Sequence, residues 1–145
     1  WLSAAVGFDA MNGKANICGT GINPLSYISI KDVAKFVVES ISNPSLKNVA
    51  IDLGGPQNIS QLDAVRIFEE VLQKKIEIKH IPVDALRAQF NSSIDPVQKS
   101  ISGLMLCVAK GYRIDMKEVP SKFNIELTSV KDFVYSLVET KLPVF

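Results

Sequence analysis

Between Val49 and Leu72 the sequence sets out a strand, a break and a helix in close succession, and few folds accommodate all three. Val49, Ile51 and Leu53 alternate as strand residues do, while Ala50 also fits an interior. A strand apolar on both sides is one covered on both faces, as in a parallel sheet. Gly54-Gly55-Pro56 breaks it, and Ser60 then offers a side-chain oxygen as a helix cap. Asp63 falls in the first turn at near-capping-box spacing, where a carboxylate also suits the helix dipole. Ala64, Val65, Phe68, Val71 and Leu72 form the buried stripe of that helix.

Strand-like and helix-like segments also alternate to either side. Trp1 to Met11 is predicted as the end of an apolar helix, stopped by Asn12-Gly13. Lys14 to Ser26 is expected to be turn-rich and Tyr27 to Ile30 a short strand. A helix follows, with Val33, Ala34, Val37, Val38 and Ile41 as its apolar stripe and Asn43-Pro44 as its end. Ile76 to Ile81 is predicted as a strand with Ile76, Ile78 and His80 on one side, ended by Pro82. Val83 to Phe90 is a short helix. Pro96 suits a first helical position, ahead of a stripe of Val97, Ile101, Leu104, Met105 and Val108. Gly111 closes that helix, Tyr112 to Glu126 is irregular, and Thr128 caps a last helix carrying Val130, Phe133, Val134, Leu137 and Val138. This order argues an α/β fold.

Composition narrows the possibilities. The 145 residues, 47% of them hydrophobic, suffice for one unit with a real core, residues 1–145. Sixteen basic against fifteen acidic side chains leave a net charge of +1, which argues against a nucleic-acid partner. No apolar run approaches the roughly 20 residues that span a bilayer, so no membrane partner is expected. Cys18 and Cys107 form no CxxC pair and suit reduced thiols in the cytoplasm. Nothing in Trp1 to Ala10 reads as a signal peptide. The chain opens on Trp1 rather than Met, and the expectation is a piece of a longer protein.

Three motifs invite a catalytic reading. Gly19-Thr20-Gly21 resembles the start of a GxGxxG loop, but position 24 is Pro24 and a strand follows, whereas a phosphate loop needs a helix N-terminus. Tyr27 and Lys31 spell YxxxK, yet a strand residue and a helix start need not bring the two side chains together. His80, the single histidine, has no Cys or carboxylate cluster beside it and is expected to be partly buried with one nitrogen satisfied. No catalytic residue and no metal ligand is assigned.

Two stretches carry a family resemblance. "PLSYISIKDVAKFVVESISNP" resembles the segment that follows the substrate-side loop in extended and atypical short-chain dehydrogenases. "NVAIDLGGPQNISQLDAVRIFEEVLQKKIEIKHIPVDAL" is similar to the late strand, Gly-Gly turn and capped helix of the NmrA-like atypical group, and "WLSAAVGFDAMNGKANICGTG" fits the same group. The likeness runs from Trp1 to about Phe90. It implies the C-terminal, substrate-side part of a Rossmann-like protein, with few strands, flanking helices and a helical C-terminal lobe. Val49 to Leu53 would then belong to the nucleotide-binding sheet, and Asp32 of "KDVA" would be a structural cap.

The resemblance further implies that a complete protein binds NADP or NAD and acts as an oxidoreductase on a small molecule. This chain alone would bind no cofactor and would not be catalytically competent. Tyr27, Phe8, Met11, Phe90 and Met105 are the expected substrate-side residues, with Trp1 and Leu104 as further wall, since such pockets are mostly apolar. The alternatives are a non-catalytic NAD(P)-sensing regulator and a free-standing module that dimerises through an open sheet edge.

Overall fold

The computed structural model describes residues 2–3, 6–119, 123 and 125–140. Its strands are β1 (Phe8–Asp9), β2 (Lys14–Cys18), β3 (Pro24–Ser26), β4 (Asn58–Ser60) and β5 (Glu77–Ile81). Its α-helices are α1 (Ile30–Ser42), α2 (Gln61–Leu72), α3 (Val83–Ser92), α4 (Pro96–Lys110) and α5 (Val130–Thr140). The α/β expectation is borne out.

β2 is the centre of a three-stranded sheet. It pairs antiparallel with β1, Phe8 opposite Ala15, and parallel with β5, Lys14 opposite Glu77 through Cys18 opposite Ile81. Strand alternation sends Ala15 and Ile17 to one face and Cys18 to the other. The first face meets Ala64, Val65 and Phe68 of α2 and Val130 and Val134 of α5. The second meets Leu86 of α3 and Val108 and Ala109 of α4. A separate two-stranded ribbon pairs β3 with β4, Leu25 opposite Ile59.

Local chemistry explains the firmest elements. Ser60 Oγ accepts from Asp63 N at 3.1 Å while Asp63 Oδ2 accepts from Ser60 N at 3.1 Å, the reciprocal pair of a capping box. Asp95 caps α4, with Pro96 in its first turn, and Gly111 ends it at φ +82°. Gln61, at the start of α2, turns its amide onto β2: Cys18 N donates to Oε1 at 3.0 Å and Nε2 donates to Cys18 O at 3.1 Å. One side chain thus satisfies a buried strand position as a neighbouring strand would.

Several expectations are corrected. Residues 8–12 form a strand and a 3-10 turn, Ala10–Asn12, and the supposed turn-rich segment contains β2. Trp1 lies outside the described residues. The strand expected over Tyr27 to Ile30 is displaced to Pro24–Ser26, and α1 already begins at Ile30. Val49 to Leu53 joins no strand pairing among the described residues.

Helix faces are corrected as well. α1 buries Asp32 and Phe36 and exposes its apolar stripe: Val37 is 55% exposed, Val38 67% and Ile41 84%. α4 turns Ser102, Val108 and Ala109 inward and leaves Val97 and Leu104 exposed. Ser102 tolerates full burial because its hydroxyl bonds to the carbonyls of Gln98 at 2.8 Å and Lys99 at 3.1 Å. Ile78 and His80 are exposed rather than inward. The capping side chain of α5 is Ser129, whose hydroxyl accepts from Asp132 N at 3.1 Å, not Thr128.

Candidate functional site

Tyr27 follows β3 directly and stands where three cavities meet. The largest, about 650 Å³, lies between β3, the start of α1 and the end of α4. Leu25, Ile28, Val33, Leu104 and Val108 give it an apolar wall, and Lys110 and Tyr112 also line it. A second, about 330 Å³, shares Tyr27, Ile28 and Ile30 with it and is also lined by Thr128, Val130 and Phe133. The third, about 20 Å³, has room for a single water and is edged by Asn16, Cys18 and Gln61.

The local chain fixes Tyr27 from behind. A methyl group on Gly55 would run into the Tyr27 carbonyl oxygen, so only glycine lets residues 54–55 pass there. Opposite, Ser26 N donates to Tyr112 O and Tyr112 N to Pro24 O, each at 3.0 Å, stitching the end of α4 to β3. The phenol is half-buried, and its pKa is pushed well above the ordinary tyrosine value. Burial is the main cause, and the neighbouring charges of Cys18 and Asp63 add to it. At neutral pH Tyr27 is therefore a neutral phenol.

Asp32 braces the second cavity. Completely buried, it accepts Thr128 N at 2.6 Å, Thr128 Oγ1 at 3.1 Å and Lys35 Nζ at 2.8 Å. It therefore ties the start of α1 to the segment leading into α5. The sequence suggested a cap for its own helix; its backbone partner instead lies 96 positions away.

Of the expected substrate-side residues, Tyr27, Phe8 and Met105 come together around the smallest cavity. Phe8 is also core, edge-on to Phe68 with ring centroids 5.4 Å apart. Leu104 lines the largest cavity. Met11 is exposed on the 3-10 turn, and Phe90 packs over Gly103 with Lys99 Nζ 5.3 Å from its ring; neither borders these three cavities. Lys110, Tyr112, Asn16 and Gln61 were not singled out by the sequence, because only tertiary packing brings them to Tyr27.

The tempting motifs resolve structurally. Gly19 and Gly21 take φ of +66° and +73° in a turn that leads to β3, not to a helix. Lys31 is exposed in the first turn of α1, while Tyr27 lies outside any helix. His80 Nδ1 donates to the Gly19 carbonyl at 2.8 Å, so one ring nitrogen is satisfied as expected. Among the described residues there is no cluster of three metal-ligating side chains and no helix long and apolar enough to cross a membrane.

No family model matches the chain. Pinoresinol reductase 1 of Arabidopsis thaliana is 27% identical over 89 residues, which are 61% of this chain and 28% of that protein. The crystal structure of isoflavone reductase superposes with a TM-score of 0.67 at 18% identity, covering 86% of this chain and 43% of that one. An NADPH-dependent quinone oxidoreductase from Escherichia coli gives 0.69 at 15%, covering 88% and 47%. Triphenylmethane reductase from Citrobacter sp., solved with NADP(H), gives 0.65 at 13%, covering 87% and 45%. The chain spans less than half the length of these structures.

Proposed function

We propose, from the premise that this chain has the fold of about half of an NmrA-like, isoflavone reductase-type NAD(P)-binding reductase, that it is the substrate-side part of an NAD(P)H-dependent oxidoreductase. The observation that carries the reading is the exposed apolar face of α1. Four aliphatic side chains, Ile30, Val37, Val38 and Ile41, are at least half exposed along one helix, and Val49 continues the patch in sequence. An apolar stripe of that length is ordinarily buried. Residues 49–53, apolar apart from Asp52 and unpaired among the described residues, offer a further strand. A nucleotide-binding half would cover the helix and pair the strand.

That half, not this chain, would hold the dinucleotide. The Gly19–Gly21 turn presents no helix N-terminus to a pyrophosphate, and the Gly21 carbonyl already accepts from Leu62 N at 3.2 Å. The contribution of this chain is the apolar cavity at Tyr27, whose neutral phenol and aliphatic walls suit a small organic substrate.

NADPH titration of the 145-residue chain, beside the same sequence captured from its source under native conditions, tests the reading. The isolated chain leaves NADPH fluorescence unchanged and the captured species quenches or shifts it. Tight NADPH binding by the isolated chain would overturn the assignment.

A second copy is the competing occupant of the open surface, since β5 pairs on one side only among the described residues. Glu77 and Lys79 on that strand discourage edge pairing. Sedimentation of the isolated chain separates the two: a tight homodimer would favour a self-associating module.

A further inference from the structure

The largest cavity is unbalanced in charge. Its lining has one cation, Lys110, and no Asp or Glu. The nearest acid in sequence on its α1 wall, Asp32, is wholly buried and committed to Thr128 and Lys35. Three other lysines, Lys35, Lys75 and Lys131, pair with carboxylates, whereas Lys110 has no such partner among the described residues.

The backbone on either side of Lys110 is held in place, while Lys110 itself is exposed. The Ala109 carbonyl accepts from Asn23 Nδ2 at 2.7 Å, and Gly111 N donates to the carbonyls of Cys107 at 3.0 Å and Val108 at 3.2 Å. At Gly111 a Cβ would stand 2.8 Å from the Pro24 oxygen, so the backbone beyond Lys110 is fixed as well. A lysine in a last helical turn complements the helix dipole by itself. Here, however, this exposed lysine also borders a cavity of about 650 Å³, whose aliphatic walls screen a charge less than water does on that side. The N-terminal end of α1, at Ile30, opens on the same space and carries the same sign.

We infer that this cavity takes an apolar ligand bearing one anionic group, a carboxylate, sulfonate or phenolate, received by Lys110, and that it discriminates against cations. The inference rests on the reading of this cavity as the substrate side, and it adds the charge class of the ligand.

The test uses the 145-residue chain with 8-anilinonaphthalene-1-sulfonate as the anionic probe and thioflavin T as a cationic one. The anionic dye binds at one site and the cationic dye at least tenfold more weakly. Lys110→Met weakens the anionic dye roughly tenfold, about 1.4 kcal/mol, and Lys110→Arg restores it. Leu104→Trp, which fills the cavity, removes the bound dye while the far-ultraviolet spectrum stays unchanged. Equal binding of the two dyes, or dye binding indifferent to Lys110→Met, would overturn the inference; displacement of the dye by NADPH would also do so, by assigning the anion to a dinucleotide. Because the comparison of the two dyes and of the Lys110 variants involves neither nucleotide nor turnover, it can fail while the reductase reading stands, and the reverse.

Discussion

Replacing Asp32 by alanine should cost this chain about 3 kcal/mol. The carboxylate is completely buried and receives three bonds, two of them from Thr128. Hydrogen bonds to a charged acceptor contribute about 1.5–3 kcal/mol each. The Lys35 ammonium, with its side chain 49% exposed, counts as a screened surface partner worth well under about 1 kcal/mol. Alanine also strands the Thr128 backbone N–H, although partial relaxation will admit water. Urea unfolding at neutral pH reads the effect: with a slope of about 2 kcal/mol per molar for a small domain, the midpoint falls by about 1.5 M. Asp32→Asn keeps an acceptor oxygen and loses about half as much. A loss below about 0.5 kcal/mol for Asp32→Ala, the level of an ordinary surface change, would mean that the buried carboxylate does not hold α1 to Thr128.

Ser60→Ala removes the capping side chain of α2 and should lower stability by about 1 kcal/mol in thermal unfolding. In the parent chain the Asp63 carboxyl is held below the usual aspartate range, chiefly by its hydrogen bonds to Ser60. Because the folded-state pKa is depressed, its contribution is present above about pH 4 and lost as the pH falls through the lowered folded value. The difference between parent and variant should therefore shrink on acidification, which acid titration of both will show. Gly55→Ala drives a methyl group into the Tyr27 carbonyl and should cost about 1–3 kcal/mol by the same assay. Ile41→Asp, on the exposed face of α1, should leave the isolated chain within about 0.5 kcal/mol of the parent, yet abolish association with a nucleotide-binding half in a pull-down.

How much of this was legible in the sequence depends on how local the determinants are. Ser60, Asp63 and the Ala64-Val65-Phe68 stripe lie within nine residues, and the structure forms that helix and buries that stripe. Pro96 and Gly111 bracketed α4 for the same reason. β2 was missed because glycines and polar residues surround a short strand whose pairing with β5 spans 63 positions, Lys14 to Glu77. The apolar period of α1 was legible in the sequence, but its exposure was not. Periodicity identifies the face that avoids water, but a contact must supply the cover, and among the described residues nothing covers it. At the candidate site, Tyr27 was found as the polar member of an otherwise apolar set of expected wall residues. Lys110 and Tyr112 went unseen because the hydrogen bonds that bring them to β3 join residues more than 80 positions apart.

On the reading proposed above, the α1 face and residues 49–53 form a seam for a nucleotide-binding half. The most direct measurement is the mass of the native particle that carries this sequence, captured from its source without denaturation. The chain alone is 15.9 kDa. A particle of about twice that mass is expected, because the chain covers 43–47% of the matched reductase structures, with a non-identical second half and NADPH retained on addition. A 15.9 kDa monomer that ignores NADPH, or a dimer of identical chains, would contradict it.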